Sequence, residues 1–205
     1  MCILLLMRHG DNDYNRANRL PGRLPGIHLN ENGRTIVNKV AERLSNMPIK
    51  AIYSSPLERA METAELIAKV FEMKVEPREG LIEIDCGDWQ GQRLSILKRS
   101  RLWKRVINSP SRFCFPGGET FHDGQQRICR ELEALSKRHG SKDIVICVSH
   151  ADPIRLAVAH YIGLPLDMFQ RLHIAPASIT ALKISESETC LMSLNYEVSL
   201  GLAKA

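Results

Sequence analysis

ILLLMRHGDNDYN, residues 3–15, is the stretch on which the fold turns. Ile3 to Met7 is an apolar run without polar alternation, as a strand buried on both faces requires. It stops at Arg8-His9-Gly10, and two acids and two asparagines follow, a composition of turn formers. The stretch therefore reads as a buried first strand whose carboxyl end carries a cation and an imidazole. In open parallel sheets that end is where ligands bind.

Working outward, short apolar runs alternate with longer amphipathic stretches, the pattern of an α/β fold with a mainly parallel sheet. The predicted strands are Ile3–Met7, Ala51–Ser54, Lys74–Glu76, Ile144–Val148 and Ser178–Ile184. A last strand near Cys190–Tyr196 is expected to pair with its predecessor across the polar turn Ser185–Glu188. Asn30 is placed to cap a helix with the stripe Ile36, Val37, Val40 and Leu44. Ser55-Pro56-Leu57-Glu58 reads as a helix start, with Ser55 as N-cap, and Ala60, Ala64, Ile67 and Ala68 turn inward. A third helix is expected over Gly124–His139 with Gly140 as its stop, and a fourth after Pro153, ending near Gly163. Residues 92–118 read as an inserted lid, helical at first and irregular around Asn108–Gly118, where Pro110, Pro116, Gly117 and Gly118 cluster. The expected architecture is a three-layer αβα sandwich: one domain over 1–205 with that lid.

Composition narrows the class. With 205 residues, 44% of them hydrophobic, the chain can bury one sizeable core. No apolar stretch is long enough to cross a bilayer, and Cys2–Met7 is too short for a signal peptide. A cytoplasmic protein is expected, with no membrane partner. The six cysteines are scattered, so no disulfide framework is expected, and Cys2, Cys129 and Cys147 fall in apolar patterns as buried thiols. The net charge is +5, yet Gln92 to Phe113 alone carries +7, leaving −2 for the remainder. That segment suits an anionic partner, a small phosphorylated molecule or a polyanion, or is simply a solvated helix face.

Three predicted strands end alike: at Arg8-His9-Gly10, at Ser55-Pro56-Leu57-Glu58-Arg59, and at Ser149-His150-Ala151-Asp152. If they are parallel neighbours, two histidines and two arginines meet at one point. Guanidinium forks match phosphoryl oxygens with charge-assisted bonds, and a neutral imidazole is a nucleophile toward phosphorus. A carboxylic acid nearby would protonate the leaving alcohol.

With those residues in view, the sequence resembles the histidine phosphatase superfamily, also called phosphoglycerate mutase-like. The resemblance rests on Leu6-Met7-Arg8-His9-Gly10 with Asn15, on Ser54-Ser55-Pro56-Leu57-Glu58-Arg59-Ala60-Met61-Glu62-Thr63-Ala64, on Glu83-Ile84-Asp85-Cys86-Gly87-Asp88-Trp89-Gln90-Gly91, and on Val148-Ser149-His150. It implies that His9 becomes a phosphohistidine and that Arg8, Arg59 and His150 clamp the phosphoryl oxygens. It also implies that Asn15 positions the group and Glu83 donates the proton. No metal or other cofactor is expected. One His9 nitrogen must be unprotonated, and the other is expected to donate to a backbone carbonyl, that of Gly10. The chain departs from the family pattern at Asp11, at Ala151 and at Gln90, where Glu, Gly and Glu are common.

Other residues stay open between roles. Asp85 and Asp88 lie close enough to compete with Glu83. Glu119 and Thr120 are candidate substrate contacts or a helix cap, Ala151 is a candidate phosphate or substrate contact, and Arg19 is a candidate for a second anionic group of the substrate. Asp11, Asp13 and Asn15 alternate like a calcium loop, but Arg16 and Gly22 stand where Gly and Glu are required. The remaining histidines lack metal-ligand spacing. The short chain and the Gly-Asp-Trp-Gln-Gly motif look more like the phosphatase branch. The expected activity is a phosphomonoesterase on a small phosphorylated metabolite, a sugar phosphate or phosphoglycerate derivative, with a phosphoglycerate mutase as the alternative. A non-catalytic binding or regulatory protein ranks below, because all catalytic groups are present. Nucleic-acid binding ranks low, since Trp103 is the sole aromatic among the cations. A homodimer through an exposed last strand is among the expected states, and burial of that strand by a helix is the alternative.

Overall fold

The computed structural model describes residues 2–185 and 188–197. In chain order the elements are β1 (Cys2–Arg8), a single turn α1 (Asp13–Arg16), α2 (Glu31–Leu44), β2 (Ile49–Ser54), α3 (Glu58–Phe71) and β3 (Val75–Pro77). They continue with α4 (Leu94–Leu97), α5 (Arg101–Asn108), α6 (Phe121–Arg138), β4 (Ile144–Ser149), α7 (Ala151–Tyr161), β5 (Ile179–Ile184) and β6 (Thr189–Tyr196). The strands form one sheet in the order β3-β2-β4-β1-β5-β6. The first four in that order are parallel, and β5 and β6 add antiparallel strands on the other side of β1.

Strand alternation divides the core into two. Leu4, Leu6, Val145 and Cys147 face one side and pack with Ile128, Leu132 and Leu135 of α6 and Leu156 of α7. Leu5, Met7, Ile146 and Val148 face the other and pack with Val37 and Val40 of α2 and Ala60, Ala64 and Ile67 of α3. Apolar residues at every position of β1 and β4 but the last are thus explained by helices on both faces, which is the expected three-layer α/β arrangement.

Asn30 caps α2 as expected, its side chain accepting from the Gly33 amide. Several expected boundaries are corrected. β2 starts two residues earlier, at Ile49, and β3 starts at Val75 rather than Lys74. α6 begins three residues earlier, because Thr120 and Asp123 form a capping box there. It ends at Arg138 with His139 already extended, so Gly140 is not its stop. α7 starts at Ala151, ahead of Pro153. Ser55 is not a helix cap: α3 starts at Glu58 with Leu57 at the cap position and no side-chain cap bond. The Ser185 amide donates to the Glu188 carbonyl, in line with the expected turn, but Glu186 and Ser187 at its centre lie outside the described residues. All six cysteines are free thiols, with Cys86 buried as well as Cys2, Cys129 and Cys147. β6 forms the sheet edge, and Met192, Leu194 and Tyr196 on it are exposed. Among the described residues no helix is long and apolar enough to cross a membrane.

Residues 92–118 run through α4 and α5 into a single turn at Pro110–Arg112 and then loop. They attach to the loop that follows α1: the Leu94 amide donates to Asn18, the Leu20 amide to Gln92, and the Gly91 amide to Leu20. Trp103 of α5 stacks on Trp89, centroids 6.0 Å apart.

Candidate active site

β1, β2 and β4 are parallel neighbours in register, with Arg8 opposite Ser149 and Ser54 opposite Val148. Their carboxyl ends therefore coincide, and His9, Ser55 and His150 follow directly. The ladder continues one step past the strands: the His9 amide donates to Ser149, and the Ser55 amide to Val148. His9, Arg59 and His150 are almost wholly buried, and the two imidazole centroids lie 5.1 Å apart.

The tautomer of His9 follows from its partners. Nδ1 sits 2.7 Å from the Gly10 carbonyl, which can only accept, so Nδ1 carries the proton. Nε2 is then unprotonated, and it accepts from Arg59 Nε at 3.3 Å. Burial, with Arg59 and Arg8 adding like charge, holds the imidazole well below the ordinary histidine value. Neutral His9 thus presents a lone pair on Nε2 toward Arg59. The Gly10 amide donates to Thr63 Oγ1, and that hydroxyl donates to the Arg59 carbonyl, tying the nucleophile loop to α3.

Arg8 Nη1 donates to the Ile174 carbonyl and Arg59 Nη2 to Gly22. Four buried donors from expected site residues have no hydrogen-bond partner among the described residues: Arg8 Nε, Arg59 Nη1, His150 Nδ1 and Asn15 Nδ2. Unpaired buried donors are costly unless an acceptor arrives, and an oxyanion accepts from all of them. Burial, then Arg59, His9 and Arg8, keeps His150 well below its ordinary value, so in the free protein it is neutral and donates through N–H rather than as a cation.

Glu83 Oε2 lies 3.9 Å from His150 Nδ1, and Oε1 accepts from the Ile84 amide. Burial and the negative charge of Asp152 raise its carboxyl to about 7, against the lowering pull of Arg59. The competing acids sit elsewhere: Asp85 turns to the Gly87 amide and Arg23, and Asp88 is exposed. The Glu83 carbonyl is held by Arg23 Nε at 2.8 Å and Arg127 Nη2 at 3.4 Å.

The other expected contacts are otherwise engaged. Glu119 Oε1 accepts from Arg23, Arg127 and the Asp85 amide, so it braces the segment carrying Glu83. Thr120 is the α6 cap. Arg19 Nε donates to the Gly91 carbonyl and its guanidinium lies over Tyr14. Ala151 is the first residue of α7, directly after His150. Asp11 accepts from Asn12, Arg16 and Asn30, forming the turn. Reading the sequence missed the site roles of Ser55, whose Oγ lies 2.8 Å from His150 Nε2, and of Thr63. Both stand in the motif around Arg59, but only strand register and helix docking show what they touch.

Residues 4–197 match the histidine phosphatase superfamily (branch 1). The chain is 31% identical over 203 residues to phosphoserine phosphatase 1 of Hydrogenobacter thermophilus, covering 98% of this chain and 95% of that one. It is 31% identical over 184 residues to the 2,3-bisphosphoglycerate-dependent phosphoglycerate mutase of Thermoplasma acidophilum, covering 90% of this chain and 88% of that protein. Among solved structures, a phosphoserine phosphatase variant of Entamoeba histolytica in complex with phosphoserine superposes with a TM-score of 0.88 at 27% identity, covering 98% of this chain and all of that one. The match over nearly the whole length and the paired histidines at the strand ends agree: the chain belongs to the histidine phosphatase superfamily.

Proposed function

We propose that the protein is a metal-independent phosphomonoesterase that acts on a small phosphorylated metabolite through a phosphohistidine on His9. The observation that carries this is a lone pair on His9 Nε2 beside buried Arg59 and His150, with the Glu83 carboxyl, raised to about 7, 3.9 Å from His150 Nδ1. Arg8 Nε, Arg59 Nη1, Asn15 Nδ2 and His150 Nδ1 have no hydrogen-bond partner among the described residues.

The steps follow from those atoms. Arg59 Nε turns from His9 to a phosphoryl oxygen, which frees Nε2 to attack phosphorus in line. Arg8, Arg59 and His150 hold the equatorial oxygens, where charge concentrates. Protonated Glu83 gives its proton to the leaving alcohol oxygen as the P–O bond breaks. The resulting carboxylate takes a proton from water, whose oxygen attacks the phosphohistidine, and phosphate leaves with His9 neutral again.

Mutase chemistry is the second reading, favoured by the Thermoplasma relative. It uses the same phosphohistidine but returns the group to a second substrate. The test is hydrolysis of an aryl phosphate in excess chelator, wild type beside His9→Ala, followed by a panel with phosphoserine, 3-phosphoglycerate and sugar phosphates. Chelator-resistant phosphate release that vanishes in the variant is expected. Isomerisation of phosphoglycerate without phosphate release would instead select the mutase reading, and equal activity in both proteins would refute His9 as nucleophile.

A further inference from the structure

We infer that Ser55 is a positioning residue that holds His150 in its Nδ1–H tautomer, so that a neutral His150 offers a hydrogen-bond donor to the phosphoryl group. Ser55 follows β2 and His150 follows β4, and the in-register pairing of these strands brings the Ser55 hydroxyl 2.8 Å from His150 Nε2. Both residues are fully buried. The Ser55 oxygen already faces the Leu57 amide at 3.4 Å, whose N–H can only donate to it. The hydroxyl has one proton to give, and among the described residues its remaining close partner is His150 Nε2, which therefore takes it. With Ser55 donating to Nε2, the proton of a neutral imidazole must reside on Nδ1.

Nδ1 is the nitrogen that faces the chemistry. It has no hydrogen-bond partner among the described residues and lies 3.9 Å from Glu83 Oε2. The opposite tautomer would point a lone pair at phosphoryl oxygens and repel them. The two histidines thus share a protonation pattern with opposite uses. The Gly10 carbonyl places the His9 proton away from phosphorus, leaving Nε2 free to attack. The Ser55 hydroxyl places the His150 proton toward the site, making it a clamp.

The catalytic consequence rests on the phosphoryl-transfer reading above, whereas the tautomer itself does not. The first experiment is therefore ¹⁵N imidazole NMR of histidine-labelled wild-type protein at neutral pH, with His150→Gln identifying the resonance. A proton on Nδ1 and a bare Nε2 are expected, and a proton on Nε2 would overturn the inference whatever any variant does. The second compares Ser55→Ala and Ser55→Thr for kcat/KM and for vanadate inhibition. Ser55→Ala is expected to lower kcat/KM and vanadate affinity together by roughly 10- to 100-fold, the effect of losing one buried hydrogen bond. Its His150 signal should move toward the Nε2–H form, and Ser55→Thr should restore much of both. Ser55→Ala within twofold of wild type, or Ser55→Thr as impaired as Ser55→Ala, would refute the role. Inactivity of wild type on every ester, with the tautomer as expected, would count against the phosphatase reading and leave the Ser55 assignment standing.

Discussion

Glu83 shows how placement sets the chemistry of a single residue. Its carboxyl, raised to about 7 mainly by burial, is about half protonated at neutral pH and can serve as an acid. Phosphohistidine formation should therefore fall as pH rises through about 7, and Glu83→Gln should lose about 10²- to 10⁴-fold in turnover on esters with poor leaving groups, measured by single-turnover kinetics. The stability sign is the reverse of an ion-paired acid. Between the unfolded value and about 7 the folded state binds the extra proton, so stability declines as pH rises across that window. Glu83→Gln removes that ionisation, so above neutral pH its melting temperature should exceed that of wild type, by an amount on the order of 3 kcal/mol in stability. A variant less stable than wild type at pH 8 would contradict the buried-acid account. Arg59 tests geometry rather than charge. It donates to both His9 Nε2 and Gly22, so Arg59→Lys keeps the charge but loses the fork, and kcat should drop about 100-fold.

At the scale of elements, the nucleophile loop is held by two helices. Thr63 of α3 takes the Gly10 amide, and the first turn of α2 packs so closely that a Cβ on Gly33 would come within 2.3 Å of the Asp11 carbonyl oxygen. Gly33→Ala must move the backbone of one or the other. It should destabilise by about 1–3 kcal/mol in denaturant titration and lower kcat as well, whereas a stability loss without change in kcat would show that the loop is independent of α2. The segment from Arg93 to Arg112 is the second case. Its seven cations are all exposed and, among the described residues, none is in an ion pair. It is joined to the loop containing Gly22, whose carbonyl meets Arg59. A field of one sign at that rim attracts anionic esters. Changing Lys98, Arg99, Arg101 and Lys104 to Gln should lower kcat/KM several-fold at low salt and flatten its salt dependence, with kcat unchanged.

Across the whole molecule, an aromatic cluster links the acid-bearing segment to the helical layer. Phe121 lies 5.3 Å from Phe115 and 4.9 Å from Phe169, and Trp89 and Phe113 complete the group. Phe121→Ala should cost about 3–5 kcal/mol by calorimetry, since the rings around it are held by other elements and cannot collapse into the space. The fold class was legible because β1 and β4 carry apolar residues on both faces, a pattern that helices on both sides must satisfy. Helix starts were legible where the cap lies in the local sequence, as at Asn30, and misread where the same letters serve another end, as at Ser55. His9, Arg59 and His150 announced themselves as reactive types at strand and helix ends, whereas Glu83 was marked only by its motif within the family resemblance. Their amino-acid types, order and spacing are properties of the chain alone, because local periodicity and turn chemistry depend only on neighbours in sequence. Which nitrogen of His9 and His150 bears the proton, why Glu83 rather than Asp85 or Asp88 faces His150, and how Glu119 braces the segment carrying Glu83 were decided by tertiary structure. Those outcomes depend on strand register and on the desolvation that packing imposes, and both join residues far apart in sequence.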